Sequence, residues 1–184
     1  MEKINPHISL IEGNIFFSSL QTITITVNCV GVMGKGLALQ AKHLVPDAYK
    51  YYQNLCKNNE MQMGIPIIYN KRTNFLKTSN DEYKMLLLFP TKQHWKMESK
   101  LIEIERGLRW LVDNYKKLGI KSLAVPALGC GNGGLDWRDV GPLMYKYFQK
   151  LDIPVEIYLP EKNIPEKYLT EEFLQKEPSK ITDF

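Results

Sequence analysis

The stretch that most constrains the fold of this chain is residues 26–40, where a strand pattern leads through glycines into a helix pattern. The β-branched residues 23–27 predict a buried strand that ends at Asn28. Three glycines follow within six residues, and helical spacing begins at Leu37. Such an arrangement brings backbone N–H groups and a helix N-terminus to one point, where they bind phosphate. The stretch therefore predicts an anion-binding loop in an α/β fold.

A second stretch shows the same pattern near residue 130. Residues 122–128 predict a strand, and four glycines lie between positions 129 and 134. Asp136 is placed to cap a following helix that reaches about residue 151, and Asp139 lies in the first turn of that helix. In open α/β sheets, ligands bind at the carboxyl ends of the strands. Two such loops side by side would form one long anion-binding cleft.

The remaining predicted elements alternate between strands and helices. Further strands are predicted at residues 7–11, 65–69, 83–89 and 155–159, and further helices at residues 37–44, 47–57 and 101–118. Pro90 is expected to end the third of these strands, and Gly119 to follow the last turn of the long amphipathic helix. The polar residues 70–81 predict a loop or hairpin. The alternation favours an α/β layer architecture with a largely parallel sheet.

The length of the chain predicts a single domain. A chain of 184 residues is long enough for one well-buried core. We expect this domain to span residues 1–160. Beyond Pro160 the composition becomes polar and charged, so residues 161–184 are predicted to be a C-terminal appendage, in which Phe173 and Leu174 are placed to dock a short helix.

Charge and cysteine content limit the cellular locations and the partners to be expected for the protein. The formal net charge of +4 is compatible with an anionic partner without demonstrating one. No apolar stretch approaches membrane-spanning length, and the first ten residues lack the pattern of a signal peptide. The three cysteines (Cys29, Cys56 and Cys130) are far apart and lack the paired spacing of a zinc site. We therefore expect a cytoplasmic protein with no bound metal and no membrane partner.

Two glycine patterns fit nucleotide-binding motifs only in part. Residues 31–36 have the wrong spacing for a P-loop, and Gly36 stands where Ser or Thr would bind magnesium. Residues 129–134 do fit Gly-x-Gly-x-x-Gly, the motif of dinucleotide-binding loops. Glu161 follows the next predicted strand, where such proteins carry the carboxylate that binds the ribose. However, this motif lies in the last quarter of the chain, and Asp136 caps the helix only after the glycines. An NTPase and a nicotinamide-dependent enzyme are therefore both disfavoured.

Lys92 is the clearest candidate for a nucleophile. It is predicted in the loop that follows the apolar strand 83–89, close to Trp95, which is placed to shield it from solvent. A desolvated lysine loses its charge readily and then acts as a nucleophile or forms a Schiff base. His94 is a weaker candidate for a general acid or base. Cysteines lie in both glycine loops, but no histidine is fixed beside them, so we interpret them as packing residues.

Three segments together resemble a known family. Residues 27–40, 89–95 and 127–137 are similar to the motifs of macro domains, most closely those of the DarG group. Members of that group are antitoxins that reverse the DNA ADP-ribosylation performed by a partner toxin, DarT. The resemblance covers about residues 7–160. It implies a three-layer α/β/α sandwich with a mixed, largely parallel central sheet that binds ADP-ribose across the strand ends.

The resemblance also implies roles for individual residues. Lys92 matches the catalytic lysine of the family, and Asn28 would meet the distal ribose. Asn14 and Ile15 stand where macro domains carry an aspartate, which binds the adenine amino group, and an aliphatic residue. The glycine loops that would hold the diphosphate are formed by Gly34, Lys35, Gly36 and Leu37 and by Gly129, Cys130, Gly131, Asn132, Gly133, Gly134 and Leu135.

Two positions depart from the family pattern. Asn14 can still accept a hydrogen bond from adenine, but it lacks the charge of an aspartate, a loss of about 1 kcal/mol. Gly133 stands where protein-directed relatives place an aspartate that pairs with their lysine. The second departure favours the DNA-directed branch of the family.

The expected function is that of a glycohydrolase that removes ADP-ribose from nucleic acid without a metal or cofactor. The resemblance implies thymidine-linked ADP-ribose on single-stranded DNA as the substrate and a DarT-type toxin as a further partner. Two alternatives remain open at this stage. One is an ADP-ribosyl-protein hydrolase that acts on acidic side chains, and the other is a reader that binds ADP-ribose without turnover.

Overall fold

The computed structural model describes residues 5–71, 84–161 and 163–178. The polar segment 72–81, most of the predicted loop or hairpin, lies outside the described residues. The strands in the described ranges are β1 Ile8–Ile11, β2 Thr22–Asn28, β3 Ile67–Tyr69, β4 Met85–Lys92, β5 Leu123–Pro126 and β6 Val155–Tyr158. The helices there are α1 Gly36–Leu44, α2 Pro46–Lys57, α3 Leu101–Asn114, α4 Trp137–Phe148 and α5 Glu171–Leu174. Short 3₁₀ turns lie at Ile15–Phe17 and Glu166–Tyr168.

The described strands form one mixed sheet in the order β1-β6-β5-β2-β4-β3. Every pairing is parallel except that of β3 with β4, which is antiparallel. The carboxyl ends of the parallel strands therefore meet at one edge of the sheet, with the end of β1 at one extreme and the end of β4 near the other. The predicted mixed, largely parallel sheet is confirmed.

Hydrophobic cores on both faces of the sheet produce three layers. Side chains alternate between the faces of a strand, and in β4 Leu87 and Phe89 pack with α3 and α4, whereas Leu86 and Leu88 pack with α1 and α2. Both sets are almost completely buried. Because both faces of the sheet are covered, the central strands β2 and β4 are mostly buried, and the residues of β4 from Leu86 to Phe89 are all apolar. The predicted three-layer α/β/α sandwich is confirmed.

Strand β4 is longer than the sequence predicts. The prediction that Pro90 ends this strand is wrong, because β4 continues through Pro90 and includes Lys92. Proline lacks the N–H that a ladder requires. Among the described residues, the neighbouring strand β3 pairs with β4 only as far as Leu88, so none of the described strands needs a donor from Pro90 on that side. Lys92 is consequently the last residue of a strand and not part of a loop.

The helices differ from prediction mainly at their ends. Helix α1 begins at Gly36, one residue early, and α3 ends at Asn114 although the chain continues in turns to Gly119, which has a φ of +72°. Helix α4 ends at Phe148. The predicted cap is confirmed, because Asp136 Oδ1 accepts a hydrogen bond from the Arg138 N–H at 2.8 Å. This cap fixes where the second glycine loop ends and α4 begins.

Residues 163–178 pack on α4. The Trp137 indole N–H donates to the Tyr168 carbonyl oxygen at 2.9 Å, and the Tyr145 hydroxyl lies 3.0 Å from Glu171 Oε1. Leu174, on α5, is buried, as the docking of a short helix requires. None of the helices in the described ranges is both long and apolar enough to cross a membrane.

Candidate active site

A cavity of about 910 Å³ lies along the edge where the parallel strands end. This volume is near the upper end of the usual range for small-molecule sites. Thirteen of the fifteen residues predicted from the sequence line it, namely Asn14, Ile15, Asn28, Gly34, Lys35, Gly36, Leu37, Lys92, Gly129, Cys130, Gly131, Asn132 and Gly133. Gly134 and Leu135 are not among the lining residues. From the strand order, Asn14 and Lys92 lie toward opposite ends of this cleft.

Asn28 is buried and organises the first glycine loop. Its Oδ1 accepts hydrogen bonds from the backbone N–H groups of Val30 at 3.1 Å and Val32 at 3.3 Å, and its Nδ2 donates to the Val32 carbonyl oxygen at 2.7 Å. The Tyr52 hydroxyl lies 2.8 Å from both Asn28 Oδ1 and the Asn28 carbonyl oxygen. These bonds leave one Nδ2 hydrogen of Asn28 for a ligand.

Two thiols lie beneath this loop. Burial raises the pKa of Cys29 to about 11 and also raises the pKa of Cys56 above its usual value. Both are therefore protonated at neutral pH, and a thiol is a much weaker nucleophile than a thiolate. This supports the interpretation of Cys29 as a packing residue.

The first ligand loop ends at the N-terminus of α1. Lys35, the N-cap residue, has extended backbone and its side chain makes no capping hydrogen bond there. The first-turn N–H groups of α1, which have no intrahelical partner, are thus not capped by the Lys35 side chain. A Cβ on Gly36 would lie 3.5 Å from Asn132 Nδ2, so the two glycine loops approach each other across the cleft.

The second loop is closed by its own backbone. The Leu135 N–H donates to the Gly129 carbonyl oxygen at 3.0 Å, and the Ser99 N–H donates to the Gly133 carbonyl oxygen at 2.9 Å. A Cβ on Gly133 would lie 2.8 Å from the carbonyl carbon of Gly129, and it would come still closer to the carbonyl oxygen and to Ser99 Oγ. Leu135 packs behind Gly129. Leu135 therefore packs against the loop without lining the cavity.

Lys92 connects the two loops. It pairs with Asn28 across β2 and β4, next to an irregularity in the ladder. Its Nζ donates to the carbonyl oxygen of Asn132 in the second loop. The lysine is half-buried and lines the cavity. Its amine is thus held between the ends of three strands and does not extend freely into solvent.

Asn14 is exposed near the opposite end of the cleft. Its Oδ1 caps the turn Ile15–Phe17 by accepting from the Phe16 N–H at 3.0 Å, and its Nδ2 donates to Gln40 Oε1 at 3.4 Å. A carbonyl oxygen has two lone pairs, so Oδ1 retains capacity for one more donor.

Other lining residues were not singled out as ligands from the sequence. Most of them lie in the last residues of a strand or just after it, and these include Thr26, Thr91, Pro126, Ala127, Tyr158 and Leu159. The signal that could have found them is their position at the carboxyl end of a strand. Trp95 also lines the cavity, but 49% of its surface is exposed, so it shields Lys92 only in part. Among the described residues, no three His, Cys, Asp or Glu side chains are grouped as metal ligands.

Comparisons with known proteins agree with this geometry. The family model described as "Macro domain" matches residues 25–144. A Thermosipho africanus protein named "DNA ADP-ribosyl transferase-DNA ADP-ribosyl glycohydrolase fusion protein" is 53% identical over 182 residues, which cover 94% of this chain and 47% of that protein. The chain spans less than half of the length of the curated relatives that it matches.

Solved structures show the same fold. The structure of Thermosipho africanus DarTG in complex with ADP-ribose matches with a TM-score of 0.88 and 53% identity, over 95% of this chain and 47% of that one. The macrodomain of Mycobacterium tuberculosis DarG matches with a TM-score of 0.77 and 40% identity, over 84% of this chain and 98% of that one. The similarity thus extends over almost the whole of a solved macrodomain.

Proposed function

The chain belongs to the macro domain family, and we propose that it is a glycohydrolase that removes ADP-ribose from nucleic acid. The proposed substrate is thymidine-linked ADP-ribose on single-stranded DNA. The observation that carries this proposal is the position of Lys92, whose amine lies at the Asn132 carbonyl oxygen between two glycine loops that border one cavity. The Thermosipho africanus relative, named as a DNA ADP-ribosyl glycohydrolase fusion, supports the choice of DNA.

The two glycine loops would hold the diphosphate. Backbone N–H groups at the start of α1 and in the second loop carry fixed partial positive charge, which stabilises an anion without reorganisation during the reaction. In this arrangement the adenine would lie toward Asn14 and the distal ribose toward Asn28 and Lys92. The order of these groups follows the order of the strand ends along the sheet.

Lys92 would act at the anomeric carbon of the distal ribose. As the free amine it attacks this carbon while the bond to the base breaks and the base leaves with the bonding electrons and takes up a proton. Water then attacks the adduct, restores the amine and releases ADP-ribose. If Lys92 acts only as an electrostatic stabiliser, water attacks directly and no adduct forms. No metal is needed in either sequence.

A lysine variant tests this assignment. We expect Lys92→Ala to release ADP-ribose from a modified single-stranded oligonucleotide about 100-fold more slowly or worse, because the group at the reacting carbon is lost. The matched control is Lys121→Ala, an exposed lysine just before β5, at the opposite edge of the sheet. Release is measured by chromatography of the free nucleotide. Equal rates for Lys92→Ala and the parent would refute the role of the lysine.

The same assay separates the alternative substrates. Release from modified DNA and from a protein modified on acidic side chains is compared at equal enzyme concentration. The lack of space at Gly133 supports the DNA substrate, because the aspartate that protein-directed relatives use there does not fit without rearrangement. Faster release from protein would overturn the substrate assignment, and binding without release from either substrate would identify a reader.

A DarT-type toxin is the further partner that we propose, and with it an antitoxin role. Support comes from the Thermosipho africanus relative, whose name describes both a transferase and a glycohydrolase in one chain. Within this proposal residues 1–160 act as the macro domain, and residues 161–184 are an appendage to it.

A further inference from the structure

An exposed aromatic platform lies beside the cavity, directly after β4. Trp95 is 49% exposed, which is unusual for the largest apolar side chain. The His94 ring stacks on it, with the ring centroids 5.5 Å apart and 28° between the planes. Met97, two residues further on, is exposed to the same extent. Exposed apolar side chains thus occur twice along this turn, and the face of the Trp95 ring can receive a flat, apolar partner.

The turn that carries this platform is held by its own hydrogen bonds. The Lys96 N–H donates to His94 Nδ1 at 3.2 Å, and the Met97 N–H donates to the His94 carbonyl oxygen at 3.0 Å. The Cys29 N–H donates to the carbonyl oxygens of Lys92 and Gln93, which ties the start of the turn to the first glycine loop. An aromatic ring on a preorganised turn loses little conformational freedom when it binds.

The platform lies at the Lys92 end of the cavity. Trp95 and Lys96 line the cavity together with Lys92, only three and four residues further along the chain. A base bonded to the distal ribose would project from the site of Lys92. The chain of nucleotides that continues from that base would then pass the platform.

The charge of the cavity lining suits a polyanion. Among the described residues that line the cavity, Lys35, Lys92 and Lys96 are cationic, and Glu161, three residues after β6, is the acidic one. Lys96 Nζ lies 5.1 Å from the centroid of the Trp95 ring, at the end of an exposed and flexible side chain. A base could displace it from the ring, and the ammonium group would then bind an adjacent phosphate.

We propose that Trp95, supported by His94 and Lys96, is a stacking platform for a nucleobase next to the modified nucleotide in a single-stranded nucleic acid. The proposal rests on the proposed function, since it extends the same site to the flanking part of its substrate. Successive bases of single strands stack on aromatic side chains beside cationic grooves. Bases in a duplex are already stacked on one another, so the platform selects single strands.

Binding of an unmodified oligonucleotide tests the platform without any chemical step. Fluorescence anisotropy of a labelled oligothymidylate measures the affinity of the parent and of Trp95→Leu, which keeps apolar volume but removes the ring. We expect Trp95→Leu to bind about 5- to 100-fold more weakly. Trp95→Phe should recover most of the affinity. The parent should bind a duplex of the same length more weakly than the single strand, and each variant is checked for an unchanged melting temperature.

A charge variant tests the role of Lys96. Lys96→Ala should weaken binding and reduce the slope of log affinity against log salt by about 1. Lys121→Ala, at the opposite edge of the sheet, is the matched control and should leave both quantities at the parent values. Trp95→Leu should lower affinity with little change in the salt slope, because stacking is not a charge interaction.

Three outcomes would overturn the platform. The first is that Trp95→Leu and the parent bind the single strand with equal affinity, and the second is that the parent binds the duplex as tightly as the single strand. The third is that Trp95→Leu slows release from an ADP-ribosylated protein but changes neither binding of nor release from single-stranded DNA. These outcomes differ from a failure of the proposed function. If the unmodified oligothymidylate binds in a Trp95-dependent manner but the parent releases no ADP-ribose from a modified oligonucleotide, the platform stands and the glycohydrolase is refuted.

Discussion

At the scale of single residues, the second glycine loop depends on a position where no side chain fits. Gly133 has a backbone conformation open to other residues, since its φ is not among the positive values. Its constraint is space, because the Gly129 carbonyl and Ser99 Oγ occupy the region that a Cβ would need. Ser99 Oγ is buried, and it has no hydrogen-bond partner within the part of the chain that the structure describes. Gly131, two residues away, has open space around its Cα.

These two glycines allow a matched comparison. We expect Gly133→Ala to destabilise the protein by about 1 to 3 kcal/mol, as overpacking does, and so to lower the melting temperature by roughly 2 to 12 °C. ADP-ribose binding, measured by calorimetry, should weaken at the same time because the loop must shift. Gly131→Ala should have the same melting temperature as the parent. A normal melting temperature for Gly133→Ala would show that the loop adjusts without cost.

At the scale of elements, the site is assembled where strands end and helices begin. Strand β4 delivers Lys92, β2 delivers Asn28, and the loop between β5 and α4 delivers Asn132. The beginning of α4 is set by Asp136, whose carboxylate caps the helix and also accepts hydrogen bonds from the Arg138 guanidinium. The cap therefore limits how far the second glycine loop can extend.

The cap has a pH dependence of defined sign. The hydrogen bonds from Arg138 hold the pKa of Asp136 below its ordinary value. Its contribution to stability is therefore complete above the ordinary Asp pKa of about 4 and is lost as the pH falls through the lowered value. Asp136→Ala should lower the melting temperature by about 2 to 4 °C at pH 7, corresponding to a cap worth about 1 kcal/mol.

Melting at several pH values checks this expectation. The difference between the parent and Asp136→Ala should shrink below pH 4, where the parent becomes protonated. Asp136→Asn keeps a capping oxygen and should lose less stability than Asp136→Ala at pH 7. If the difference in melting temperature between the parent and Asp136→Ala stays constant down to pH 2, the charge of Asp136 does not contribute to the cap.

At the scale of the whole molecule, residues 163–178 contribute to the core. Leu174 is 1% exposed and packs against Gly141 of α4, where a Cβ would lie 2.6 Å from Leu174 Cδ2. It belongs to the cluster that α3 and α4 form on one face of the sheet. The close approach of the two helices is possible because Gly141 has no side chain.

Truncation of this one side chain measures that contribution. Leu174→Ala should lower the free energy of unfolding by about 2 to 5 kcal/mol, since it removes buried apolar surface and leaves a cavity. Urea denaturation followed by circular dichroism gives the value. Glu172→Ala, an exposed position on the same short helix, is the control and should change stability little. Equal effects of the two changes would mean that Leu174 is not packed in solution.

Local patterns in the sequence determined the elements and the two loops. The alternation of strand and helix patterns, the Asp136 cap and the glycines of both loops are properties of neighbouring residues, and neighbouring residues interact whatever the tertiary fold. The lining positions of Gly34 and Gly129 could therefore be predicted.

Contacts between distant segments were decided only by the tertiary structure. The continuation of β4 through Pro90 depends on where β3 stops pairing, and the contact of Lys92 with Asn132 joins residues 40 apart. The exposure of Trp95 depends on which side of the turn faces solvent. Each of these is set by strand register and by the packing of remote side chains, which no short stretch of sequence contains.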